Sequence, residues 1–429
     1  MGDPGQAMAG EAVAPSSTPA RAAATTRRSL SPIEAQERIQ TLDVLRGFAL
    51  FGILWMNMPS FSEGTAFEHA LYQLGQVLTS GKFYSLYAFL FGLGFSIQLL
   101  RADARGAPIV PVQLRRLFVL LLLGLAHFVL VWNGDVLRDY ALIGVILLLV
   151  RRRSLRTLLV LAALCLVIDV FFDAGYDRLT ALRRADPEAA QARALQRPVE
   201  MTNHRVLWER RARAEQRGTY FEAVAARAAL LPQQYSQRRS YFFGPIYCMF
   251  LLGFYAGRRG IFHDTAAHLP FLRKLMWWAL GIGLALNLAD VGGGELFRLY
   301  HFEWPQFVGG AIYTLGRPAL CLFYISGIML LLQKERWRER LQPLSWAGRM
   351  ALTNYLLQSV IFTTLFYGYG FGLLPKASAP LALLLTVLVY SLQIPLSMWW
   401  MRRFRFGPME WLWRSLTYMK LQPMRVVRP

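Results

Sequence analysis

Asp43 and Arg46 stand three residues apart where a long apolar stretch begins, LDVLRGFALFGILWMN over residues 42–57, and a helix places both on one face. A charged side chain among lipid tails is penalised by about 2.5 to 3.5 kcal/mol at a helix centre on insertion scales. Such a pair must therefore neutralise itself, reach the headgroups or line a polar cavity. Gly47 directly follows the arginine and allows a helix or a ligand to approach the backbone there. Snorkelling of Arg46 to lipid phosphates is the plainer alternative. Asn57, at the far end of the same run, joins the group as a substrate-binding candidate.

A second cluster lies in GLAHFVLVWNGDVLRDYALIG, residues 124–144. His127 is the one histidine inside an expected span, and the turn Asn133-Gly134-Asp135 brings Asp135 and Asp139 near its depth. A neutral imidazole beside a carboxylate suits a general base, because the acid sets the tautomer and stabilises the imidazolium. The alternatives are a histidine bonded to a neighbouring helix and a structural network of Asp135, Arg138 and Asp139. Arg317, in TLGRPAL, is flanked by Gly316 and Pro318, which predict a broken helix whose freed backbone groups face protein or a watery cavity. An arginine there suits a phosphate, a carboxylate or a developing oxyanion; a buried pair with Asp290, Glu295 or Glu303 is the competing reading. In GRMALTNYLLQS, residues 348–359, Asn354 and Gln358 stand one turn apart beside Thr353 and Tyr355. They read either as substrate-binding amides or as polar glue between helices, while Arg349 at the mouth suits phosphate binding.

These groups must be held by helices. The chain has 429 residues, 55% hydrophobic, with 28 Phe, 18 Tyr and 12 Trp, the composition of an all-α polytopic membrane protein. Apolar runs of spanning length fall at about 43–61, 83–100, 117–132, 136–150, 155–172, 241–257, 275–290, 307–332, 348–369 and 380–401, which predicts about ten transmembrane helices. The net charge of +21 sits mainly in alternate short loops, so it reads as membrane orientation, with both termini cytoplasmic, and not as nucleic-acid binding. Residues 1–37 read as a disordered cytoplasmic tail. Residues 38–172 and 241–420 form two five-helix membrane halves, and 173–240 an outer-face insert with 13 arginines. Within it ADPEAAQARALQ and RVLWERRARAEQRGTYFEAVAARAALL predict amphipathic helices broken at Pro187, Pro198 and Pro232. The insert could lie on the membrane surface, cap a cavity mouth, or form a solvated hairpin on the loops. Cys165, Cys248 and Cys321 read as small core residues, and no metal site is expected. Phosphate-loop, HExxH, Cys-x-x-Cys and GxSxG patterns are missing. Gly-x-Gly in FLFGLGFS reads as close helix packing, and Gly253 with Gly257 as either internal packing or dimerisation; the oligomeric state stays open.

Several stretches carry a resemblance: LDVLRGFALFGILWMN, GKFYSLYAFLFGLGFSIQL, YCMFLLGFYAGRRGIF, GRMALTNYLLQSVIFTTLFYGYGFGL and RFRFGPMEWLWRSLTY. The chain resembles the YeiB-like bacterial inner-membrane proteins, defined by a C-terminal domain of unknown function. Their Asp-x-x-Arg-Gly opening is similar to that of transmembrane acyltransferases of the heparan glucosaminide acetyltransferase type. That likeness implies an inner-membrane enzyme that takes an acyl group from cytoplasmic acyl-CoA and passes it to a hydroxyl or amine of a sugar or lipid acceptor at the outer face. Asp43, Arg46 and Arg349 would then hold the donor, Arg317 would support the polarised carbonyl, and His127, oriented by Asp135 or Asp139, would be the base. The acetyltransferases use an outer-loop histidine in a His-Trp-Gly-like context; here that loop offers His69 without the motif. A transporter or flippase of an anionic solute or lipid, and a non-catalytic scaffold, are the competing functions.

Overall fold

The computed structural model describes residues 39–60, 64–185, 205–237, 243–300 and 306–426. Among these the architecture is all-helical, with one isolated bridge, Phe404 to Arg425, as its extended pairing. The first half comprises α1 (Gln40–Asn57), α2 (Ala66–Thr79), α3 (Lys82–Ala104), α4 (Ile109–Leu130), α5 (Leu137–Val150) and α6 (Leu155–Ala185). The insert contributes α7 (205–217) and α8 (Tyr220–Gln237). The second half follows as α9 (Phe243–Arg258), α10 (Leu269–Tyr300), α11 (Gln306–Leu331), α12 (Glu335–Arg349), α13 (Ala351–Phe366), α14 (Ala379–Met401) and α15 (Pro408–Tyr418).

A helix occupies each of the ten expected apolar runs. Five stretches, Ala66–Ala104, Ile109–Leu130, Ala266–Leu296, Phe307–Leu331 and Ala379–Met401, are long and apolar enough to cross a bilayer. Leu149, Val160, Phe171, Trp277, Trp278, Leu384 and Leu392 are each more than half exposed, a surface that water would penalise and lipid tails accept.

With little hydrophobic drive between helices in lipid, close packing at small residues must hold them. On α3, a Cβ at Gly92 would stand 2.0 Å from the Phe250 carbonyl oxygen of α9. On α9, one at Gly253 would stand 1.9 Å from that of Phe89. The expected glycine packing is thus internal, between α3 and α9, and edge-on rings such as Phe95 with Phe254 complete the seam. A second crossing joins α1 to α12. Cβ atoms at Gly47 and Gly348 would lie 2.1 Å from the Leu344 oxygen and 1.8 Å from the Asp43 oxygen, respectively.

Three helices lie where loops were expected. Helix α12 falls in the basic segment after α11; its charge imitates a loop, yet its glycine face packs on α1. Helix α2 opens with a capping box, Thr65 with Glu68, a signal legible in the sequence. Helix α15 follows α14 after a short turn and begins at Pro408.

Two expected breaks are absent. Helix α11 continues through Pro318, although a proline removes one backbone donor and crowds the preceding turn. Close packing by α10 holds it straight. A Cβ at Gly283 would lie 2.6 Å from the Leu320 nitrogen, and the Asn287 amide donates to the Gly316 carbonyl at 2.8 Å. In the insert, α8 runs through Pro232. The interruption falls instead between α7 and α8 at Gly218, after which Thr219 and Glu222 form a reciprocal cap. The insert packs on the bundle: buried Arg227 donates to the Val129 and Leu130 carbonyls at 2.9 and 3.0 Å, and Gly368 N–H donates to the Glu215 carbonyl. Pro187, Pro198 and most of ADPEAAQARALQ lie outside the described residues.

Because two backbones meet at Gly348, Gly348→Val should destabilise the protein by about 3 kcal/mol or more, beyond ordinary overpacking. Gly281→Val, where a side chain meets nothing within 4 Å, should leave the thermal unfolding midpoint in detergent unchanged. Equal midpoints for both variants would show that the α1–α12 contact is not tight.

Candidate functional site

The α1–α12 crossing brings Asp43, Arg46 and Arg349 to one place. The Arg46 guanidinium meets Asp43 Oδ1 at 3.0 Å on the shared face that their spacing predicts. Around them opens a cavity of about 250 Å³ lined by α1, α3, α4, α5, α12, α13 and α15. Its mouth carries four arginines, Arg46, Arg116, Arg349 and Arg414, against two carboxylates, Asp43 and Glu410. The formal excess is positive, so the mouth attracts anions such as phosphates. The deeper wall is apolar and aromatic, with Ile53, Leu90, Phe91, Leu120, Tyr140 and Tyr355. Along α1 the lining runs from Asp43 to Ile53, about 15 Å at a rise of about 1.5 Å per residue.

Each arginine is aimed by neighbours. Arg116 donates to Gln98 Oε1 at 2.8 Å and lies between the rings of Phe91 and Trp413, at 5.1 and 4.8 Å. The Trp413 indole donates back to the Arg116 carbonyl at 3.0 Å, which ties α15 to α4. Arg349 lies over Trp346, and Tyr87 Oη donates to the Arg46 carbonyl. Glu410 caps α13: its Oε1 accepts from the Leu352 and Thr353 amides at 2.6 and 3.1 Å, and its Oε2 accepts from the Thr353 hydroxyl at 2.6 Å. Burial pushes this carboxyl above its ordinary value, and the bonds from Thr353 and Leu352 act against that.

At the deep end Tyr355 connects the cavity to His127. The two rings are 5.4 Å apart, and Tyr355 Oη donates to Asp135 Oδ1 over a long 3.5 Å. His127 Nδ1 is 2.9 Å from the same oxygen. A carboxylate only accepts, so Nδ1 donates to Asp135, and in the neutral imidazole Nε2 is then the nitrogen with the lone pair. Both side chains are almost wholly buried, and His127 Nε2 has no hydrogen-bond partner among the described residues. Gly124 permits this geometry: a Cβ there would stand 2.5 Å from the Arg138 amide and 2.7 Å from Asp135 Oδ2. Arg138 N–H donates to that Oδ2 at 3.2 Å. The Arg138 guanidinium, buried over Phe128, contacts Asp139 at 3.4 Å, so Asp139 balances Arg138 while Asp135 orients the histidine.

The remaining expected site residues are placed elsewhere. Arg317 is off the cavity lining; it lies over Tyr313 and 3.6 Å from Asp290, the first of the three carboxylates weighed for it. Glu295 instead meets His69 at 3.0 Å, and Glu303 lies outside the described residues. Asn57 accepts from Tyr84 Oη at 3.3 Å. Asn354 donates to Ser397 Oγ and the Ala347 carbonyl, and Gln358 to Gln393 Oε1. These amides join α13 to α14 and do not line the cavity. Gln98, Arg116, Glu410, Trp413 and Arg414 were missed as site residues. Glu410 and Arg414, one turn apart behind Pro408, carried the signal of a short helix with a charged face.

Replacing Glu410 with alanine should strip the cap from α13 and cost about 1 to 2 kcal/mol. Glu410→Gln, which keeps an acceptor for the two amides, should cost less than half of that in thermal unfolding. Identical losses would place the importance of Glu410 in its charge alone.

Comparison with known proteins identifies relatives but supplies no activity. Residues 256–420 match the family described as protein of unknown function (DUF418). Uncharacterized protein YxaH of Bacillus subtilis (strain 168) is 34% identical over 418 residues, covering 92% of this chain and 98% of the relative. An uncharacterized 39.9 kDa protein from the amylase 3' region of Bacillus acidopullulyticus is 28% identical, covering 92% and 98%. Uncharacterized protein YeiB of Escherichia coli (strain K12) is 29% identical over 399 residues, covering 89% and 96%. Helices α12 and α15 lie within the matched residues 256–420, and with the relative that is 34% identical over most of both chains, the chain belongs to the YeiB-like DUF418 family.

Proposed function

We propose that the protein is a multi-pass inner-membrane acyltransferase that moves an acyl group from cytoplasmic acyl-CoA to a hydroxyl or amine of a sugar or lipid acceptor. The observation that carries this reading is His127. Its Nδ1 is fixed on buried Asp135, its Nε2 is buried without a partner among the described residues, and its ring lies against Tyr355, which lines the arginine-mouthed cavity. A purely structural histidine would use both nitrogens. An interfacial anchor would need no enclosed cavity behind Arg46.

In this reading all ten helices on the apolar runs cross the bilayer, with both termini in the cytoplasm as the alternating basic loops require. The donor's phosphates meet Arg46, Arg116, Arg349 and Arg414, and its acyl end points along the apolar wall. Nε2 of His127 takes the proton of the acceptor O–H or N–H as that atom attacks the thioester carbonyl carbon. The carbon–sulfur bond breaks, and the departing thiolate receives the same proton from the imidazolium. Asp135 keeps the tautomer and offsets the transient positive charge.

Purified protein supplied with acyl-CoA should release free thiol. His127→Ala should slow release by about 10²-fold or more, the usual weight of a general base, while Arg46→Ala and Arg116→Ala should chiefly raise the KM for the donor. Thiol release by His127→Ala at the wild-type rate would remove the base assignment. Solute accumulation in proteoliposomes without thioester cleavage would replace the enzyme with a transporter.

A further inference from the structure

A second polar cluster lies at the other end of the helices. Helices α1 and α3 run antiparallel, since Tyr84 meets Asn57 while Gly94 faces Arg46. Lys82, the first residue of α3, therefore stands at the Asn57 end, about 16 Å from the Arg46 level along α1 at about 1.5 Å per residue. There Arg317 packs on the turn that starts α3: a Cβ at Gly81 would lie 2.5 Å from Arg317 Cδ. Gly81 has φ of 78°, a left-handed conformation that favours glycine, so the turn can accept the arginine stem.

Charge is out of balance at this point. Lys82 is 1% exposed, and its Nζ donates to one backbone carbonyl, that of Gln76, at 3.0 Å. Among the described residues Arg317 contacts one carboxylate, Asp290, at 3.6 Å, and its buried Nε has no hydrogen-bond partner. Among the described residues, two cations thus stand at this turn with one acid, Asp290, that is itself more than a third exposed. The neighbouring Glu295 is already engaged by His69 and Gln73. An unbalanced cation in an apolar bundle is tolerated where it meets a ligand or a watery surface. No side chain caps the start of α3, so the backbone adds positive potential on the same side. The Arg317 side chain, 17% exposed, is the part a ligand can reach.

We propose that Lys82 and Arg317 form a second anion site, separate from the arginine-mouthed cavity, that takes a phosphate group. Arg317 makes the direct contacts, and Lys82 behind it supplies field without contact. Under the acyl-transfer reading this is the phosphate of the acceptor, and only that identification rests on the reading. Tyr84, one turn into α3, connects the two regions, because Tyr140 of the cavity wall donates to its carbonyl.

Binding can be measured without any transfer. Detergent-solubilised protein is given phosphatidic acid, diacylglycerol as the uncharged control, or inorganic phosphate, and occupancy is read by native mass spectrometry and by thermal shift. Wild type should prefer phosphatidic acid over diacylglycerol at least tenfold. Arg317→Ala should abolish the preference, Lys82→Met should weaken it several-fold, and Arg317→Lys should restore part of it. Arg46→Ala should leave it intact. Competition by millimolar phosphate would assign the site to a free phosphate, and its failure to a lipid headgroup. Wild type with neither preference nor phosphate binding, or Arg317→Ala binding like wild type, overturns the proposal. So does equal loss in Arg46→Ala, which would assign the anion to the cavity. Loss of thiol release with phosphate binding retained would leave this site standing and remove the enzyme.

Discussion

The contact between the backbones of α1 and α12 decides where the charges of this protein can be. At Gly47 and Gly348 neither helix has room for a Cβ, so the two chains cross at a separation that ordinary side chains forbid. Asp43 and Arg46 flank one side of the crossing and Arg349 the other. Their convergence follows from that contact and needs no long-range attraction. Helix α13 then leaves at Met350, and its first amides must find acceptors because no preceding turn supplies them. Glu410 of α15 meets that need. A chain of local requirements thus assembles the cavity mouth from segments more than 350 residues apart in sequence.

Polar groups inside the bundle divide into three kinds, by what satisfies them. Asn354, Gln358, Gln393 and Ser397 satisfy one another between α13 and α14. At the start of α5 the Arg138 guanidinium pairs with Asp139, while Asp135 accepts from the Arg138 amide and from His127. His127 Nε2 is left without a partner among the described residues. A buried group without a partner costs about 1 to 3 kcal/mol.

Much of this was legible in the sequence, for physical reasons that differ from residue to residue. The apolar runs announce helices because lipid demands internally bonded backbone, and the three-residue spacing of Asp43 and Arg46 survives intact. His127 and Asp135 were readable because one turn separates their helices. The basic helix α12 was hidden, since its positive charge reads as loop topology while its packing face is written in glycine and alanine. Arg116 and Glu410 were hidden too: each is ordinary in its own segment and gains meaning only when α15 folds against α4 and α13. Pro318 misled because a proline's effect depends on the neighbour, and α10 supplies the support that an isolated helix would lack. Arg317 therefore stays in a continuous helix and meets Asp290 and the turn at Gly81 instead of the cavity.

Arg227 ties α8 to the final carbonyls of α4, one turn beyond the imidazole. A cation at a helix C-terminus stabilises that end, and here it arrives from outside the membrane bundle. The orientation of a group deep among the helices is thereby coupled to the seating of a peripheral arm. Lifting that arm would strand a guanidinium and uncap the turn, so trimming the insert should be felt in the interior before it is felt at the surface.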